Sequence, residues 1–118
     1  MENFEILKIA ANALNNKKAI DLHAVKVTDL TVLTDYFLIA TATSNTHVHA
    51  LADEVEEKLA ELGVKANHIE GKSTDWILLD YGTVIVHIFQ QENREYYNLE
   101  RLWADASIVD LSDIITEN

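Results

Sequence analysis

The 118-residue chain has no cysteine, no proline and only three glycines. Without cysteine there is no disulfide, no thiolate nucleophile and no zinc site built on sulfur ligands. The redox compartment stays open. No glycine-rich phosphate loop and no nucleophile elbow can be found. Basic residues are scarce as well: nine lysines and arginines face twenty carboxylates, a formal net charge of -11. From Thr74 onward only Arg94 and Arg101 oppose nine acidic residues. Such a field repels phosphate backbones and attracts basic surfaces. Direct nucleic-acid binding is therefore disfavoured, whereas docking on a basic protein that sits at a nucleic acid is not. Acidity also serves plain solubility. No apolar run approaches the roughly 20 residues of a membrane span. The start, Met1-Glu-Asn-Phe-Glu5, lacks the basic region and apolar run of a secretion signal, so a cytoplasmic protein is expected.

What is present is a chain that is 48% hydrophobic, without repeats, linkers or low-complexity stretches. Its length predicts one domain, 1–118, able to bury roughly two-thirds of its unfolded surface without a metal or disulfide staple. Phe4, Leu7, Ala11 and Leu14 recur at helical spacing, widened by Ile6, Ile9 and Ala10, and predict a helix over 3–17 that packs broadly on a sheet. Residues 19–27 alternate loosely and read as a strand, followed by a connector over 29–35. Tyr36-Phe-Leu-Ile-Ala-Thr-Ala42 is apolar on both faces, the mark of a central strand covered on both sides. Thr43, Ser44 and Asn45 can cap a helix carrying Val48, Leu51, Ala52, Val55, Leu59 and Leu62, with Gly63 placed to close it. Its outer acidic stripe reads as a solvated face. A short strand over 64–69, a loop over 70–73, a hairpin of strands 75–80 and 84–89, and a last helix capped by Asn98 complete the reading. The tail 107–118 keeps Ile108, Val109, Leu111, Ile114 and Ile115, so it is expected to dock. This alternation predicts an α/β layer structure with a mixed sheet and helices on its faces.

The stretch Trp76-Ile-Leu-Leu-Asp-Tyr-Gly82 is the most informative. Period-2 geometry puts Trp76, Leu78 and Asp80 on one face, and Ile77, Leu79 and Tyr81 on the other. An aromatic, an aliphatic and a carboxylate in a row suit a protein-binding surface, where tryptophan anchors and charge orients. Periodicity alone equally allows Trp76 to be a core residue at a strand start.

Catalytic chemistry finds little purchase. His47 and His49 lie two apart on a helix, roughly 200° around it, and cannot share a metal. His87 falls inside a buried strand and reads as a core imidazole. His23 and His68 have no local partner motif, and Ser44 is explained by capping. A nucleotidyltransferase would need a Gly-Ser pair at the helix start and paired carboxylates on the next strands to hold Mg²⁺. Here Thr43-Ser44 stands at the helix start and Val84–Phe89 has no carboxylate. No cofactor and no metal are expected, and the chain does not read as an enzyme.

Several longer stretches together resemble the ribosomal silencing factor (Iojap-related) family. They are Thr34-Asp-Tyr-Phe-Leu-Ile-Ala-Thr-Ala-Thr-Ser-Asn45, Ala50-Leu-Ala-Asp-Glu-Val-Glu-Glu-Lys58, His68-Ile-Glu-Gly71, Trp76 to Gly82 with Val86-His-Ile-Phe89, and Arg94-Glu-Tyr-Tyr-Asn-Leu-Glu-Arg-Leu-Trp103. Ala42, where glycine is frequent, and Gln90-Gln91, where His-Pro is common, depart from the pattern. The resemblance implies a degenerate nucleotidyltransferase-like α/β domain with a mixed five-stranded sheet flanked by helices and no catalysis. It implies binding to the large ribosomal subunit through that subunit's fourteenth ribosomal protein. That binding blocks joining of the small subunit and represses translation when nutrients are scarce. Organellar relatives act in large-subunit assembly, and homodimers are common. Carried onto this sequence, the partner surface would comprise Trp76, Leu78, Asp80 and Tyr81, with Lys72, Tyr97 and Asn98 at its rim. For Leu78 and Tyr81 a core position, and for Asn98 a capping role, remain open.

Overall fold

The computed structural model describes residues 3–26, 34–71, 76–90, 107–109 and 111. The chain runs α1 (Asn3–Asn16), β1 (Ile20–Lys26), β2 (Tyr36–Ala42), α2 (Asn45–Ala60), β3 (His68–Glu70), β4 (Trp76–Asp80), β5 (Val84–Gln90) and β6 (Ser107–Val109). The strands form one sheet in the order β3-β4-β5-β2-β1-β6. β2 and β5 run parallel and every other neighbouring pair is antiparallel, so the sheet is mixed as expected. Five strands are those anticipated. The sixth comes from the apolar tail, whose Ser107–Val109 pairs with β1 at the far edge.

Both helices lie on one face of the sheet. Leu7, Ala10, Ala11 and Leu14 of α1 and Val48, Leu51, Ala52, Val55 and Leu59 of α2 meet Ala24, Leu38, Ala40, Ile77, Leu79, Val86 and Ile88 in one core. The small residues at 10, 11, 13, 40 and 42 let the helices approach the sheet closely. The sheet is flanked by helices as expected: α1 and α2 share one face, and the expected last helix lies outside the described residues. The double-sided apolar pattern of β2 and β5 is nevertheless real, since Ile39 and Phe89 are fully buried on that second face in a separate cluster with Trp76.

Both helices end in the same hydrogen-bond pattern. After α2, Gly63 takes a left-handed φ of 79°, Gly63 N–H donates to Ala60 O and Val64 N–H to Leu59 O. This is a Schellman closure, and Gly63 is the glycine expected for it. After α1 the left-handed residue is Lys18, at φ 67°, with Lys18 N–H donating to Asn15 O and Ala19 N–H to Leu14 O. The Schellman closure also explains a shifted boundary. Val64 is committed to the cap, so strand pairing begins only at His68, and Glu70, read as loop, is its last residue.

A candidate interaction face on the sheet

The hairpin of β4 and β5 is closed by Tyr81-Gly82-Thr83. Tyr81 N–H donates to Val84 O, and Gly82 adopts a φ of 82° that an L side chain rarely takes. One Asp80 carboxylate oxygen accepts the Gly82 N–H at 2.7 Å. This Asx-type bond pins the turn.

Residues directly opposite in neighbouring strands share a face. Along β4 the burial alternates: Trp76, Leu78 and Asp80 are partly exposed, and Ile77 and Leu79 are fully buried under the helices. Trp76 sits opposite Phe89, Leu78 opposite His87, and Asp80 opposite Ile85. The rows continue across β5 into β2, where His87 meets Ile39 and Ile85 meets Phe37. On the outer side, Glu70 and His68 of β3 stand opposite Leu78 and Asp80. The second face is thus graded: buried at its centre on Ile39, His87 and Phe89, more open toward β4 and β3.

Trp76 is held rather than loose. Its indole stacks on Phe89 with ring centroids 5.0 Å apart and planes 30° apart. Beside it, Glu70, Gly71, Trp76 and Leu78 line a cleft of about 170 Å³. The His68 imidazole lies 2.8 Å from a Glu70 carboxylate oxygen, both side chains well exposed. Together the cleft offers an apolar wall and an acidic rim.

Tyr81 requires a correction. It is 7% exposed and belongs to the helix-side core, the opposite face from Trp76. Burial, and secondarily the Glu56 carboxylate, pushes its phenol up to about 12. It supports the hairpin from beneath and is no part of the exposed surface. Leu78, for which a core position was open, stands on the partly exposed face. Lys72, Tyr97, Asn98 and the expected last helix lie outside the described residues. Glu70 was missed as a candidate because residues 70–73 read as loop by composition. The alternation His68-Ile-Glu70 was the available signal, since it puts both polar residues on one side of a strand. His87 is the core imidazole anticipated. It lies 5.3 Å from the Phe37 ring and 6.0 Å from that of Phe89, centroid to centroid, and burial lowers its pKa to about 4.

No group of three or more His, Asp or Glu side chains among the described residues is placed to hold a metal ion. No described helix is long and apolar enough to cross a membrane. Among the described residues the architecture is α/β with a mixed sheet, α1 and α2 on one face and an aromatic, acid-edged strand pair on the other.

Comparison with known proteins gives this architecture a family. The sequence profile described as "RsfS: Ribosomal silencing factor during starvation" matches residues 1–118, and the chain belongs to that family. A ribosomal silencing factor RsfS of Halalkalibacterium halodurans is 38% identical over 117 residues, covering 98% of this chain and all of that protein. Its Bacillus subtilis counterpart is 41% identical over 112 residues, 94% of this chain and 95% of the relative. A mouse protein named for mitochondrial assembly of the ribosomal large subunit is 32% identical, over 94% of this chain and 51% of its own length. A crystal structure of a Chromobacterium violaceum protein superposes with a TM-score of 0.85 at 41% identity, covering 88% of both chains. The family's name is that of a regulator of the ribosome rather than of an enzyme.

Proposed function

We propose that this protein is a ribosomal silencing factor that docks on the large ribosomal subunit and sterically blocks joining of the small subunit, repressing translation under nutrient limitation. The contact is made to the fourteenth protein of the large subunit, a basic protein at the intersubunit face, and the free protein is a cytoplasmic homodimer. The observation that carries the reading is the split of β4. Trp76, Leu78 and Asp80 remain partly exposed beside an acid-rimmed cleft while their neighbours Ile77 and Leu79 are fully buried. Family membership supplies the ribosome. A net charge of -11 favours a basic partner and a fast, oriented encounter. Lys72, Tyr97 and Asn98 are proposed as rim contacts.

The test is co-sedimentation with purified ribosomal subunits. Trp76→Ala should keep the fold yet weaken large-subunit binding by about 2 kcal/mol or more, roughly thirtyfold. Wild-type binding by a folded Trp76→Ala protein would overturn the site.

A second reading, assembly of the large subunit, is favoured by the mouse relative's name. It uses the same surface with a different outcome. A subunit-joining assay with mature subunits separates the two, because an assembly factor has no need to block joining. An enzyme of the nucleotidyltransferase type would gain stability from a nucleoside triphosphate with Mg²⁺. No shift in melting temperature is expected.

A further inference from the structure

His47 ties together two helix ends that are far apart in sequence. It occupies the third position of α2, and its backbone N–H donates to the capping Ser44 Oγ at 3.1 Å. Its ring reaches in two directions. Nε2 lies 2.7 Å from the Lys17 carbonyl oxygen at the end of α1, and Nδ1 lies 2.9 Å from the Thr43 backbone nitrogen. A carbonyl only accepts and a backbone amide only donates. The ring is therefore neutral with its hydrogen on Nε2 and its lone pair on Nδ1. The Thr43 hydroxyl stands 3.2 Å from the same Nδ1. Carbonyls in the last turn of a helix have no intrahelical donor, so the Lys17 bond caps α1 from another element.

We propose that His47 is a proton-operated latch between the end of α1 and the turn that leads from β2 into α2. A protonated imidazole carries hydrogen on both nitrogens, so Nδ1–H would meet Thr43 N–H, donor against donor. The Nε2 bond to Lys17 O survives protonation, whereas the Thr43 amide must turn away. The charged side chains on the segments the latch joins are Lys17 and Lys18, with Asp21 early in β1; the first turn of α2 has no carboxylate. The latch matters for its location. β2 ends with Thr41 opposite Phe89, which is itself opposite Trp76. Opening the latch frees the turn at the Trp76 end of the sheet.

The experiment is NMR on the full chain, with two readouts. At neutral pH the His47 ¹⁵N shifts should report hydrogen on Nε2 and a bare Nδ1. Once acid has protonated the ring, as its ¹⁵N shifts report, the exchange protection of the Thr43 amide should fall roughly tenfold, the loss of about one hydrogen bond. Amides of β5 should keep their protection. In His47→Gln the Thr43 amide should lose its dependence on pH. A neutral ring with hydrogen on Nδ1 overturns the latch, as does Thr43 protection that is unchanged when the ring is protonated or lost in step with β5. Should the variant fail to fold, the two wild-type readouts decide alone.

Discussion

At Asp80 a single carboxylate meets two demands. One oxygen accepts the Gly82 N–H and pins the hairpin, while the charge faces the partly exposed side of the sheet. Asp80→Asn keeps an acceptor oxygen and removes the charge. It should leave the unfolding midpoint nearly unchanged while weakening large-subunit binding. Asp80→Lys removes both and should also lower stability by about 1 kcal/mol in urea unfolding. His87 makes a separate prediction. Its folded-state pKa is about 4, lowered by burial, against roughly 6.5 in an unfolded chain. Between those values the unfolded state binds a proton that the native state refuses. Stability is therefore full above pH 6.5 and falls as the pH drops toward 4, by about 3 kcal/mol in all. Denaturant titrations across that range should show the slope, and His87→Leu should remove it. At this scale the sequence was readable for His87, whose strand is apolar on both faces, whereas alternation put Trp76 and Leu78 on one face without saying whether that face is open. It was silent on Asp80's bond to Gly82, because composition marks a turn without saying which oxygen closes it.

The two helices offer a matched pair of closures. Gly63 and Lys18 both hold a left-handed backbone, but only one of them is a glycine. No atom lies within 4 Å of where a Cβ on Gly63 would stand, so Gly63→Ala meets no clash and costs backbone strain alone. A loss of about 1 kcal/mol is expected, and Lys18→Gly should return a similar gain. Thermal melts of the two variants against wild type check both signs. Gly63 could be recognised as a helix stop because glycine advertises the left-handed conformation. Lys18 could not, since nothing in a lysine announces it. The same closure hid the start of β3: Val64 and Ala66 look strand-like by composition, yet cap geometry takes Val64 and the pairing register with β4 begins at His68.

For the whole molecule, charge and layering make one argument. With a net charge of -11, the proposed docking on a basic protein predicts that binding to large subunits weakens as salt rises, most steeply below about 0.15 M. Co-sedimentation across a salt series measures this, and salt-independent binding would contradict electrostatic docking. The α/β class was legible because helical and strand periods alternate along the chain. That α1 and α2 share one face was not. Ile39 and Phe89 carry the same apolar residues whether a helix or something else buries them, so pattern alone could not assign the cover.

The pairing of β6 with β1 bears on the order in which the protein can be made. β1 is complete by Lys26, but its outer partner is Ser107–Val109, more than eighty residues later. During synthesis the β1 edge must wait, its backbone groups open to water or to another nascent strand, until nearly all of the chain has emerged. A chain truncated before Ser107 should hold the helices and the central strands while displaying that edge permanently. Its first failure would be association between copies during expression, before any loss of core packing.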